Sequence, residues 1–274
     1  MRFGLFTCGY QRCSPETMFR DAARFGYDFI ELWGARPHAY PPDLKREGVG
    51  ELRRLSERYD VPIPIFTPEL NAYPYNFMWG GEAQRADCVQ YLKLCMEVAS
   101  ELGCEATLIS AGHAGYEATQ AEIWDRLLRT LRELTGHAEK LGHKLILEPL
   151  TPYESNVVTT ADHLCRVFEA IPSDCLVGMC DVVAPFVQHE SILSYFEKLG
   201  DKLFHLHIVD SSGTDDSHLV PGEGILPLPE LMAELRVRGY RGTATIELVS
   251  NYLNEPGLYA RRSIRTLRTM LEVN

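Results

Sequence analysis

The chain has 274 residues, 45% hydrophobic and 10% aromatic, enough to build a sizeable core in one large domain or two small ones. No apolar run approaches the roughly 20 residues that a membrane-spanning helix needs, so no membrane partner is expected. The net charge of −11 weighs against nucleic acid, whose recognition rests on lysine and arginine contacts to phosphate.

The N-terminal stretch MRFGLFTCGYQR is too short in its apolar part for a secretory signal. It reads as a first strand, which sets a cytoplasmic expectation. Ser14-Pro15-Glu16 then offers an N-cap, a first-turn proline and an acidic side chain at the positive end of a helix. From there one cadence recurs: amphipathic helix, glycine, one or two residues, short apolar strand. It appears at Gly26 before DFIELW, Gly103 before EATLIS, Gly142 before KLILE, Gly200 before KLFHLHI and Gly239 before RGTATIEL. Glycine just past a helix supplies the left-handed position that other residues reach only at a cost. Ile123, Leu127, Leu131, Leu134, Ala138 and Leu141 form one stripe at helical spacing; Ile264, Leu267 and Leu271 form another.

Strands are expected near 3–7, 28–33, 62–67, 105–111, 144–148, 175–181, 203–209 and 243–248, with helices between them and after the last. Eight alternating units without a low-complexity linker predict an α/β fold, a single (β/α)8 TIM barrel, as one domain over residues 1–274. A doubly wound open sheet is the runner-up, but no glycine-rich phosphate loop follows the first strand. The eight cysteines contain no C-x-x-C pair, and a chain this long needs no staples, so they read as reduced, mostly buried thiols. Cys88 and Cys95, seven apart in a helical pattern, are expected on one buried face.

Four strand-like stretches in the second half close on metal-binding residue types: LILE on Glu148, VGMCD on Asp181, FHLHI around His207 and TATIE on Glu247. Their separations of 33, 26 and 40 residues each match about one strand–helix unit. Singly, Glu148 or Asp181 reads equally well as a loop-entry or capping group, and His207 as a satisfied histidine. On consecutive strands 5 to 8 the four would meet at the C-terminal mouth of a barrel, where such folds carry their active sites. There they could bind one divalent cation and do acid–base chemistry. Three oxygen donors and one imidazole suit Mn²⁺, Co²⁺ or Mg²⁺, with Ni²⁺ and Zn²⁺ also compatible.

These stretches, together with FTCGYQR, IELWGARPHAY, TPELNAYPYN, LISAGHAGY, ILEPLTPYESNVV, HLHIVDS, PGEG and IELVSNYLNEPGLYAR, resemble the xylose isomerase-like barrel superfamily, and within it the ketose 3-epimerases. The resemblance places the family's metal ligands on Glu148, Asp181, His207 and Glu247. It implies that Glu148 and Glu247 are also the catalytic pair, one removing the C3 proton of a ketose and the other returning it through an enediolate. It further implies that Glu154 supports the first carboxylate and the substrate; otherwise it is a solvated loop residue. His113 reads as a pocket residue or a capping group. Trp33 and Glu69 end strands 2 and 3 and could face the substrate, and Phe6 could wall the pocket. Asp216 and His218 read as a second metal pair or a polar loop and stay outside the metal site.

Two departures from the free-sugar epimerases stand out. Their histidine three residues after the metal-binding aspartate is Ala184 here, and their arginine before the PGxG turn has no counterpart. Both residues contact sugar hydroxyls in those enzymes, so a different substrate tail is expected, such as a sugar carrying an amino-acid group. The leading expectation is a metal-dependent 3-epimerase of a small sugar-amine substrate, homo-oligomeric as its relatives commonly are. A free-ketose 3-epimerase or ketose–aldose isomerase is the near alternative. An apurinic-site endonuclease and a non-catalytic sugar-binding barrel are more remote.

Overall fold

The structure, a computed structural model, describes residues 1–273. Its strands are β1 (Arg2–Phe6), β2 (Phe29–Gly34), β3 (Ile65–Pro68), β4 (Ala106–Ser110), β5 (Lys144–Glu148), β6 (Leu176–Asp181), β7 (Leu203–His207) and β8 (Thr243–Ile246). They pair in parallel and in sequence order, and β8 closes onto β1. The outer ring is built by α1 (Pro15–Phe25), α2 (Pro41–Glu47), α3 (Gly50–Tyr59), α4 (Glu82–Leu102), α5 (Gln120–Leu141), α6 (Ala161–Ala170), α7 (Val183–Val187), α8 (Ile192–Leu199), α9 (Leu228–Val237) and α10 (Pro256–Val273). The chain therefore folds as the (β/α)8 barrel that its cadence predicts. No helix among the described residues is long and apolar enough to cross a membrane.

Local signals fix the helix ends. Ser14 Oγ accepts the Thr17 amide at 3.3 Å with Pro15 in the first turn, and Thr119 and Glu122 form a reciprocal capping box at the start of α5. Gly103 and Gly142 end α4 and α5 at φ 87° and 64°, a left-handed conformation in which a side chain is strained. β3 begins at Ile65, three residues later than its apolar run suggests, because Pro62 and Pro64 have no N–H to give to a ladder. Their carbonyls still accept, from Ile30 and from Glu105 and Ala106. β8 ends at Ile246, so Glu247 stands one residue beyond its strand.

Two apolar regions hold the layers together. The larger lies between the barrel and its helices and includes Cys88 and Cys95, both fully buried on α4. All eight cysteines are free thiols. The smaller fills the barrel on the β3–β6 side, from Ile65, Ala106, Leu108, Ile146, Val177 and Met179. On the other side the interior is polar, with Glu31, His205 and Thr243 all buried.

Strand period sets what reaches the mouth. Side chains two apart share a face, so Ile146 and Glu148, Met179 and Asp181, His205 and His207, and Thr245 and Glu247 each point inward as a pair. The lower member of each pair is buried; of the upper members, Glu148, Asp181 and Glu247 line the cavity, and His207 is buried among them. The β6–β7 register shifts between Gly178 and Met179, where β7 contributes the extra residue Phe204; beyond this shift Asp181 lies opposite His207.

Candidate active site

Glu148, Asp181, His207 and Glu247 each offer a ligand atom, and these four atoms lie within 4.8 Å of one another. They come from β5, β6, β7 and the residue after β8, as strand counting predicts. His207 Nδ1 faces Glu148 Oε1 at 3.3 Å and Glu247 Oε2 at 2.8 Å. This nitrogen is buried and makes no hydrogen bond of good geometry, which is where a ligand to an ion would be left. Three carboxylates and one imidazole, nearly all out of water, carry excess negative charge that a divalent cation would neutralise. The residues present fit such an ion.

The other side of His207 is fixed from below. Glu31, fully buried on β2, accepts from His207 Nε2 at 3.1 and 3.2 Å, from His205 Nε2 at 3.0 Å and from the Thr67 hydroxyl at 2.7 Å. β2 and β7 are not neighbours, so the bonds from the two histidines cross the barrel interior. With Nε2–H committed to Glu31, a neutral His207 keeps its lone pair on Nδ1, the carboxylate–histidine arrangement that orients metal ligands. Burial would raise the Glu31 carboxyl, but the two histidines outweigh it and hold it well below the usual range. Burial would lower His207, but Glu31 and Glu247 hold it well above the usual imidazole range. Phe6 stacks on the His207 ring at 5.8 Å between centroids.

His218, from the loop after β7, also enters the site. Its Nε2 lies 3.2 Å from Asp181 Oδ2 and its Nδ1 3.5 Å from Glu247 Oε2. Burial opposes its charge, but Asp181 and Glu247 push it up to about 10. Desolvation works against the carboxylate form of Asp181, but His218, the charge of His207 and the Val183 amide at 2.9 Å keep its pKa low. Glu148 is raised to about 7 by burial, with His207 pulling the other way.

A cavity of about 450 Å³ covers the cluster, and its wall includes Phe6, Trp33, Glu69, Glu148, Glu154 and Asp181. Trp33 Nε1 donates to Glu69 Oε2 at 2.7 Å, tying the ends of β2 and β3 together. Glu154 is exposed at the mouth; partial loss of water and the charges of Asp216 and Glu148 raise its carboxyl, with solvent limiting the first effect. His113 is placed elsewhere. Its Nδ1 accepts the Gly115 amide at 2.9 Å, its carbonyl accepts from Asn76, and it is not part of the cavity wall. Ala184 is fully buried on α7, so nothing polar stands at that position.

Glu31 and His205 are the residues that sequence reasoning missed, and His218, read as part of a second metal pair or a polar loop, lies at the first site instead. A glutamate inside the apolar strand DFIELW and a histidine two residues before His207 were visible signals, since a charge facing a barrel interior needs a partner.

Residues 19–270 match the xylose isomerase-like TIM barrel family, and the chain belongs to it. Over 271 residues it is 52% identical to a fructoselysine 3-epimerase of Escherichia coli O157:H7, covering 99% of this chain and 98% of that one. A fructoselysine 3-epimerase of Shigella flexneri is 51% identical over the same length. Among solved structures, a D-psicose 3-epimerase of Clostridium cellulolyticum H10 with D-tagatose superposes with a TM-score of 0.82 over 99% of this chain and all of that one. At 18% identity, that likeness speaks for the fold alone.

Proposed function

We propose that the protein is a metal-dependent 3-epimerase that interconverts fructoselysine and psicoselysine. One observation carries the reading: in a chain 52% identical to a fructoselysine 3-epimerase, the carboxylates of Glu148 and Glu247 converge on His207 Nδ1 from separate strands. The proton at C3 of a ketose is acidic because the neighbouring C2 carbonyl accepts the charge. One glutamate takes this proton and leaves an enediolate; the other gives a proton to the opposite face and inverts the centre. The reaction is nearly symmetric, so each carboxylate is base in one direction and acid in the other.

Glu148, Asp181, His207 and Glu247 would hold one divalent ion, with Mn²⁺ the best fit to their hard oxygen donors. When bound, it supplies Lewis acidity toward the carbonyl and the charge that develops there. Glu31 and His205 keep His207 in the tautomer that faces the site. His218 supplies positive charge beside Asp181 and Glu247. Phe6, Trp33, Glu69 and Glu154 would contact the substrate. The reading treats residues 1–274 as one domain and includes self-association, which the family resemblance supports.

Product analysis of metal-loaded protein with fructoselysine tests it, and psicoselysine is the expected product. An aldose product would favour the isomerase alternative, and equal efficiency with free fructose would favour a free-ketose epimerase. No conversion of either would overturn the proposal.

A further inference from the structure

A second cavity of about 190 Å³ adjoins the first, and Glu69, Leu70 and Ala72 line both. Its wall is aromatic. Tyr75 and Tyr91 stack at 3.6 Å and nearly parallel, and Tyr40 packs on Tyr91 and reaches the Tyr75 hydroxyl at 3.1 Å. Tyr73 stands at the rim with 98% of its surface in water. At one end lies Arg36, its guanidinium 4.7 Å over the Tyr40 ring. Asp43 occupies Nε and Nη2 of Arg36 at 2.6 and 2.8 Å, which leaves Nη1 to donate elsewhere. At the junction with the first cavity, Glu69 is held by Trp33 through Oε2 alone and has no cationic partner among the described residues.

We infer that this second cavity is the subsite for the substrate's amino-acid arm, an inference that rests on the fructosyl-amine reading above. A lysyl arm has the matching order of chemistry. Its linking secondary ammonium, next to the sugar, meets the free oxygen of Glu69. Its methylenes lie along the tyrosine wall, where burial of apolar surface favours binding. Its α-carboxylate meets Arg36, a charge-assisted contact to a guanidinium already oriented by Asp43. Tyr73 covers the arm and loses its own exposed apolar surface in doing so. A free ketose has no arm to fill this space, so the subsite separates sugar amines from simple sugars at a distance from the reacting carbon.

Steady-state kinetics of the metal-loaded protein with three substrates test the inference: fructoselysine, the fructosyl derivative of 1,5-diaminopentane, which lacks the carboxylate, and that of methylamine, which lacks the arm. Arg36→Met is expected to raise KM for fructoselysine about tenfold, with kcat little changed and with the diaminopentane derivative unaffected. Tyr73→Ala, at a position too exposed to matter for folding, is expected to raise KM several-fold for both long substrates and not for the methylamine derivative. If both variants shift all three substrates alike, or shift none, the subsite is overturned and the epimerase reading stands. Wild-type protein with the same KM for all three also overturns the subsite alone. Failure of the wild type to turn over any fructosyl amine overturns the reaction assignment and the subsite with it.

Discussion

At the scale of single residues, the site rests on one imidazole held between two kinds of carboxylate. Glu31 takes Nε2 of His207 inside the barrel, and Glu148 and Glu247 face Nδ1 at the mouth. Glu247→Gln keeps the size of the side chain but removes a proton carrier. C3 exchange is expected to fall by about 10²–10⁴-fold with the circular dichroism spectrum unchanged; full activity would remove Glu247 from the pair. Proton linkage gives a second test. Without metal, His207 is held protonated and Glu148 titrates near 7, and both must lose protons to become ligands. Metal affinity is therefore expected to rise with pH from 6 to 8, with about one proton or more released per ion at pH 7. Calorimetry in buffers of differing ionisation enthalpy reads that number, and no release would contradict the assignment of His207.

At the scale of elements, alternation along the strands explains both what could be read from sequence and what could not. Glu148, Asp181, His207 and Glu247 were legible because strand ends in a barrel recur at one strand–helix unit. Glu31 was not, because its partners lie 174 and 176 residues away across the barrel, and only closure brings β2 and β7 together. His218 depends on the path of a loop. Asp210 shapes that loop by accepting the amides of Ser211, Gly222 and Leu226, and Gly224 passes so close that an added Cβ would lie 2.3 Å from the Ser211 carbonyl. No periodicity encodes such a path. Inside the barrel, Gly4 gives its space to Phe29: a Cβ there would lie 2.2 Å from the ring, which in turn packs edge-on against His205. Gly4→Ala is expected to destabilise the protein by about 1–3 kcal/mol and to weaken metal binding, because Phe29 has nowhere to go. A melt and a metal titration of the variant check both; unchanged values would show that the barrel interior yields more easily than its packing indicates.

At the scale of the whole molecule, the barrel divides its labour by side. The β3–β6 half is packed with aliphatic side chains, while the half toward β1, β2, β7 and β8 buries an ionic network under the mouth. Binding an ion ties β5, β6, β7 and the end of β8 together, so it is expected to stabilise the fold. The midpoint of thermal unfolding should rise with metal concentration, by about 2.7 kcal/mol of stability at a hundredfold excess over Kd, and a chelator should reverse it. The acid–base pair above that network is the central claim, and solvent isotope tests it most directly. Metal-loaded protein incubated with fructoselysine in deuterated water should place deuterium at C3 of both the recovered substrate and its epimer. Conversion without deuterium at C3, or incorporation at C1 instead, would contradict proton transfer by Glu148 and Glu247 at that carbon.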